Sequence, residues 1–259
     1  MTDIIILTYG QEDFTVKCFD SILAHTEDYR LVWVDNGSSI ASRNAVMPAF
    51  LKHQNRLSIW SGQNLGFVKG CNLALRAVMG TADIHAEYIV LQNNDTEATA
   101  GWLKRLILGL QKTPTAWAIG PTTSTDQSWQ GVRNIMKTRG YLFPNELNPL
   151  NRDEVCRLLN ITFEDRTENA KMVAFFCTLF RREAFEQLGL LDERFGVGFG
   201  DDDDFTTRII KSGHKVLYMP GVYVLHHHRT TFKSVYGVAA IKGMQEEAMK
   251  VYKHKHNLK

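Results

Sequence analysis

The sequence predicts an α/β protein: a mostly parallel sheet with helices on both faces, followed by a helical C-terminal tail. Two observations carry this reading. Over the first 120 residues, short apolar runs alternate with amphipathic stretches of helical length, and parallel strands need such crossovers between them. At 259 residues and 44% hydrophobic side chains, the chain can also bury a substantial core rather than stay disordered.

Ile4–Leu7, Leu31–Val34, Leu57–Trp60, Tyr88–Leu91 and Ala116–Gly120 read as strands. Helical patterns fall between and after them, near 12–24, 40–53, 67–79 and 98–112. Residues 121–171 are polar, contain Pro121, Pro144 and Pro149, and show weak periodicity apart from a short helix near 151–160. A connection of that length is a lid, a binding loop or a disordered segment. Met172–Phe180 then reads as a buried strand and Arg182–Leu188 as a short helix. Residues 203–212 read as a helix, 215–218 and 222–226 as strands, and 237–256 as a helix rich in lysine and histidine.

Charge and cysteine usage narrow the function classes. Thirty basic and 28 acidic side chains nearly cancel, leaving no excess positive field for a nucleic-acid partner. No apolar run reaches the roughly 18 residues of a membrane span. The start of the chain shows no basic leader or cleavage site, so no secretory signal is expected. Cys18, Cys71, Cys156 and Cys177 form no C-x-x-C pair. They read as buried free thiols, which suits a cytoplasmic location.

Open α/β sheets bind ligands at the carboxyl ends of their strands. Three such ends here are polar: Thr8-Tyr9-Gly10, Asp35-Asn36-Gly37-Ser38-Ser39 and Gln92-Asn93-Asn94-Asp95. Turn formation and helix capping account for any one of them. Three on one sheet edge point to a site. Asp95 is either a helix cap or an oxygen ligand for a divalent cation. Asn64-Leu65-Gly66-Phe67-Val68-Lys69-Gly70-Cys71-Asn72 opens a helix with glycines that would let phosphate approach its N–H groups. Neither G-x-G-x-x-G nor a P-loop is present, which disfavours a nicotinamide enzyme or a P-loop NTPase.

The sharpest feature is Asp201-Asp202-Asp203-Asp204, approached through Phe195-Gly196-Val197-Gly198-Phe199-Gly200. Adjacent carboxylates repel one another. A helix N-terminus tolerates them, but the glycine-rich approach suggests a working site. An EF-hand is excluded, because counting from Asp201 puts Thr206 and Ser212 where glycine and glutamate are required. After an apolar strand, His226-His227-His228 would alternate faces, with His226 and His228 on one side.

ILTYG at 6–10, VDNGSS at 34–39, NLGFVKGCN at 64–72, LQNNDT at 91–96, FGVGFGDDDDF at 195–205 and VLHHH at 224–228 occur in one order. Together they resemble the family 2 inverting glycosyltransferases of the GT-A fold, and most closely a rhamnosyltransferase-like branch. The resemblance spans about 1–120 and 172–232. It implies one domain over 1–232, divided into a nucleotide-sugar half (1–120), an acceptor or lid insertion (121–171) and a catalytic half (172–232). Residues 233–259 are the tail.

The resemblance also implies roles. Thr8, Tyr9, Asp35 and Asn36 would line the nucleotide pocket, with Asp35 reaching the base. Asn64, Gly66 and Lys69 would lie beside the nucleotide and its phosphates. Asn94 and Asp95 belong to a variant of the family's D-x-D element, with Asp95 on Mn²⁺ or Mg²⁺. The late metal-binding histidine maps to His226, with His228 as the fallback. Asp202 maps to the base that deprotonates the acceptor, and Asp201 stands where glutamate is more common. The implied partners are a nucleotide-sugar donor, UDP- or dTDP-linked, and a saccharide, glycolipid or glycoprotein acceptor, as in polysaccharide biosynthesis.

Rival readings are a binding module without turnover, a metal-dependent phosphoester hydrolase, and a nucleotidyltransferase, whose glycine-rich first loop is missing. The tail cations Lys250, Lys253, His254, Lys255, His256 and Lys259 suit either a solvated face or peripheral docking on an anionic membrane.

Overall fold

A computed structural model describes the chain except for residues 81–85, 145–146, 229 and 259, and describes the side chains except also those of 230–239. Lys259 and the expected boundary at 232/233 therefore lie outside the described side chains. The first half runs β1 (Thr2–Thr8), α1 (Glu12–His25), β2 (Tyr29–Asp35), α2 (Ile40–Leu51), β3 (Arg56–Trp60), α3 (Phe67–Gly80), β4 (Tyr88–Asn93) and β5 (Thr96–Glu97). Then come α4 (Trp102–Lys112), β6 (Ala116–Thr123), α5 (Val132–Thr138), α6 (Arg152–Phe163), β7 (Glu168–Ala170) and β8 (Cys177–Arg181). The chain continues through α7 (Arg182–Leu188), a 3-10 turn at Glu193–Phe195, α8 (Asp201–Lys211), β9 (Lys215–His226) and α9 (Thr230–His256).

Among the described residues, one sheet orders its strands β3-β2-β1-β4-β8-β6-β9-β5, with β7 also paired to β9. Parallel ladders join β1 to β2 and β4, β2 to β3, and β6 to β9. β8 runs antiparallel between β4 and β6, and β5 and β7 run antiparallel to β9. The sheet is thus α/β and mostly parallel, with reversed strands inserted and at one margin. Both faces are covered. Ile5, Val32, Val34 and Leu91 pack with Val68, Leu75 and Val78 of α3. Ile4, Ile6, Leu31 and Trp33 pack on the other face with Phe19 and Ile22 of α1 and Phe50 of α2. Burial on both faces is why these strands read as unbroken apolar runs.

Four expectations need correction. The helix expected from 98 starts at Trp102, because Thr96 and Glu97 pair with His226 and Leu225 as β5 and Gly101 adopts a left-handed conformation at the cap. The strand expected over Met172–Phe180 begins only at Cys177. Ahead of it, Gln130 Oε1 takes the Ala174 N–H at 2.7 Å and Phe176 offers its carbonyl to Asn93 N–H at 2.9 Å. The two late strands are one, β9, in which Pro121 pairs Met219 and Thr122 pairs Tyr223, so residues 220–222 bulge out. Residues 121–171 hold α5, α6, β7 and the end of β6, more order than their weak periodicity suggested.

Gln130 is fully buried and ties this region together, since its Nε2 also donates to the Pro121 carbonyl at 2.8 Å. Gln130→Ala removes the partner of the buried Pro121 carbonyl, at about 1–3 kcal/mol, and that of the partly buried Ala174 N–H, at somewhat less. Urea unfolding should show a loss of about 2–4 kcal/mol, with the slope unchanged.

Candidate active site

The carboxyl ends of β1, β4 and β9 and the N-termini of α3 and α8 border one cleft of about 250 Å³. From β1 it receives Thr8 and Tyr9, and from the loops after β2 and β3 it receives Asn36, Asn64 and Gly66. Asn94, Asp95, Asp201, Asp202 and His226 complete the expected set within it, joined by His228. Asp35 and Lys69 are not on its wall. The Asp35 carboxylate is buried, accepting from Ser38 N–H at 3.0 Å and from Arg43 Nε at 2.6 Å. Arg43 in turn lies over the half-exposed Trp60 ring, 4.8 Å from its centre. Lys69 is exposed on α3.

Asn36 joins the loops after β2 and β3. Its Nδ2 donates to Asn64 Oδ1 at 3.1 Å and to the Gly66 carbonyl at 3.2 Å, and its Oδ1 accepts Leu65 N–H at 3.0 Å. The start of α3 does not hold its N–H groups open for an anion, as the sequence suggested. Phe67 and Val68 donate to the Val197 and Gly196 carbonyls at 3.2 and 3.4 Å. Gly66 has φ +79°, and a Cβ there would sit 3.1 Å from Gly196 O and 3.2 Å from Val197 Cα. Gly66 thereby lets the backbones around residues 66 and 196–197 touch.

β5 brings the acid and the imidazole together. Thr96 pairs with His226, so Asp95 Oδ1 lies 3.1 Å from His226 Nε2. Ser124 Oγ fixes both main-chain groups of His226, at 2.7 and 3.1 Å. Its ring stacks on Phe176, centres 5.4 Å apart. His227 turns to the other face, 2.9 Å from Glu97, as alternation requires. His228 sits 2.9 Å from Gln127 Oε1, so His226 is the histidine beside Asp95. Asn94 Nδ2 points away to Thr15 Oγ1 at 2.9 Å.

Among the described residues, no group of three or more His, Cys, Asp or Glu could hold a metal alone. A 3.1 Å edge between an oxygen and a nitrogen nonetheless suits adjacent ligands of an octahedral ion with bonds of about 2.1 Å. Asp95 and His226 fit as two ligands of a cation whose other donors come from water and substrate.

At the other N-terminus, burial raises the Asp201 carboxyl well above the usual carboxylate range, with repulsion from Asp202 next in importance. Asp202 is partly exposed to the cleft and is pushed up to about 7, first by burial and then by Asp203. Asp204 is different: fully buried, it is paired with Arg208, Lys255 and His256. Lys255 and His256 thus turn inward, against the expectation for the tail cations, while Lys250, Lys253 and His254 are exposed. Sequence reasoning missed Phe175, Phe176 and Phe199 as cleft wall, along with Thr125 and Ser128. The aromatic run at 175–176 was visible but read as a strand.

The decisive comparison is with family models, where that for glycosyl transferase family 2 matches residues 3–189. The chain belongs to glycosyl transferase family 2. It is a glycosyltransferase, and Asp201, Asp202 and His226 lie beyond the span matched by the family 2 model. The chain is 26% identical over 247 residues to an N-acetylglucosaminyl-diphospho-decaprenol L-rhamnosyltransferase of Mycobacterium tuberculosis, covering 88% of this chain and 77% of the relative. Among solved structures, it is similar to the mannosyltransferase PcManGT from Pyrobaculum calidifontis in complex with GDP-Man and Mn²⁺. That match has a TM-score of 0.63 and 17% identity, covering 97% of this chain and 69% of that one. GalNAc-T7 with UDP, GalNAc and Mn²⁺ matches at TM-score 0.63 and 12% identity, over 98% of this chain and 50% of that one. At such identities these two likenesses show the GT-A fold alone.

The raised Asp202 carboxyl carries a stability signature. Between the unfolded value near 4 and about 7, the folded chain holds the extra proton, so stability falls as pH climbs through that window. Asp202→Asn should therefore melt a few degrees higher than wild type at pH 8, with the difference gone by pH 4. Thermal unfolding across that range checks it.

Proposed function

We propose that this glycosyltransferase moves a sugar, with inversion, from a UDP- or dTDP-linked donor to a hydroxyl of a saccharide, glycolipid or glycoprotein acceptor. Asp202 is the base, and Asp95 and His226 would hold Mn²⁺ or Mg²⁺. The observation that carries the reading is a carboxylate of near-neutral pKa in the same cleft as the Asp95–His226 pair. A base works best when its pKa lies near the operating pH.

Asp202 accepts the acceptor hydroxyl proton as that oxygen attacks the anomeric carbon from the face opposite the diphosphate. Repulsion from Asp203 strengthens the base, and Asp201 beside it is itself raised mainly by burial. The cation supplies charge neutralisation for the departing diphosphate. Thr8, Tyr9, Asn36, Asn64 and Gly66 bound the donor pocket. Asp35 is tied to Arg43, so its contact with the nucleobase requires that pair to open or to bind the base jointly.

The rhamnosyltransferase relative supports a deoxyhexose donor and an acceptor of the lipid-diphosphate class. Such an acceptor would bring a cytoplasmic enzyme to a membrane surface. Among the described residues, no helix is long and apolar enough to cross one. Residues 121–171 supply Thr125 and Ser128 to the cleft, which supports assigning them to acceptor selection.

Asp202→Asn should lower transfer by about 10²–10⁴-fold while donor affinity holds. The wild-type kcat/KM should rise with pH through about 7. Near wild-type turnover in the folded variant would overturn the assignment. Thermal shifts with UDP- and dTDP-sugars should require Mn²⁺ or Mg²⁺, and Asp95→Ala or His226→Ala should abolish the shift. Stabilisation that persists in EDTA would remove the metal from the reading.

A further inference from the structure

The densest charge cluster outside the cleft ties the C-terminal helix to the segment bearing Asp202. Asp204 is fully buried in the first turn of α8. Its Oδ2 accepts from Arg208 Nε at 3.0 Å, while its Oδ1 faces Lys255 Nζ at 2.7 Å and His256 Nε2 at 2.8 Å. The same Lys255 ammonium lies 2.7 Å from Asp192 Oδ2. One cation therefore bridges two carboxylates that bracket residues 193–203, the stretch holding the glycine-rich loop and Asp202. Tyr252 OH reaches Thr207 Oγ1 at 2.8 Å, and Lys211 Nζ reaches His256 Nδ1 at 3.0 Å, fastening α9 along α8.

The loop needs outside support. Gly198 and Gly200 sit at φ +113° and +77° with no side chains to pack. One end is held by the Phe67 and Val68 N–H groups. The other is held where Lys255 meets Asp192 and Asp204, with the ammonium 5.9 Å from the Phe195 ring centre. Exposed ion pairs contribute little. Here Asp204 is buried, and removing one partner from a buried charge is costly.

We propose that Lys255 is a positioning residue for sugar transfer: by bridging Asp192 and Asp204 it fixes the loop and the first turn of α8 that present Asp202 to the cleft. The inference rests on the reading of Asp202 as the base.

The test compares Lys255→Met, Lys255→Arg and, as a control on the exposed neighbour, Lys253→Met. Amide hydrogen exchange needs no donor. Lys255→Met should exchange about 10-fold faster or more over residues 195–204, with β1 and β4 unchanged, which a general loss of stability would not produce. Donor hydrolysis, probed with dTDP-rhamnose and UDP-N-acetylglucosamine, should show kcat down by about 10–100-fold with donor KM within about twofold. Lys255→Arg should restore both readouts, and Lys253→Met should leave both at wild-type values. Wild-type exchange and kcat in Lys255→Met overturn the proposal, and so does activity lost in step with uniformly faster exchange along the chain. Asp202→Asn, measured in parallel, separates the two failures. If it stays active, the base reading falls. If it is inactive while Lys255→Met is fully active, only the positioning role falls.

Discussion

Negative charge at the start of α8 is the constraint around which the C-terminal side of the cleft is arranged. Four consecutive carboxyl groups occupy one helical turn, two of them fully or almost fully buried. The helix dipole favours acids there but is worth at most about 2 kcal/mol, too little to keep four ionised groups out of water. The structure divides the load. Asp204 is neutralised by an arginine, a lysine and a histidine. Among the described residues no cation pairs with Asp201 or Asp202, and their affinity for protons rises instead. A charge-paired carboxylate and a proton-holding one thus differ by two positions in the same turn, separated only by what surrounds them.

The donor side is built by backbone contact. The loop before α8 lends its carbonyls to the first N–H groups of α3, and Asn36 joins the loops after β2 and β3. These links let residues from opposite ends of the chain share one cleft. Asp95 and His226 meet for a related reason, since the two-residue strand β5 reverses onto β9 and sets their separation.

Strands β1, β2, β4 and β6 and the helices around them were legible because strands buried on both faces leave an unmistakable apolar run. The cleft residues at their carboxyl ends followed from topology. What stayed hidden depended on distant partners. Asp35 and Lys69 match a family pattern, yet Arg43 holds one and solvent surrounds the other, and neither fact is local to its motif. Residues 172–176 have the composition of a strand, but β8 runs against its neighbours and the chain reaches the cleft before the ladder begins. Lys255 and His256 carry no sign of the aspartates they meet. Asp204 and Lys255 lie 51 positions apart, and only the packing of α9 on α8 joins them.

The bulge at residues 220–222 gives β9 a property that residue identity does not capture. Three extra residues on one strand shift the pairing by an odd number and so decide which side of the ladder each later residue faces. Losing or gaining one residue there would send His226 outward and bring a neighbour in beside Asp95, although every side chain of the site was still encoded. The segment is held to one length, and Gly221 within it leaves no room for a Cβ beside the Glu164 carbonyl.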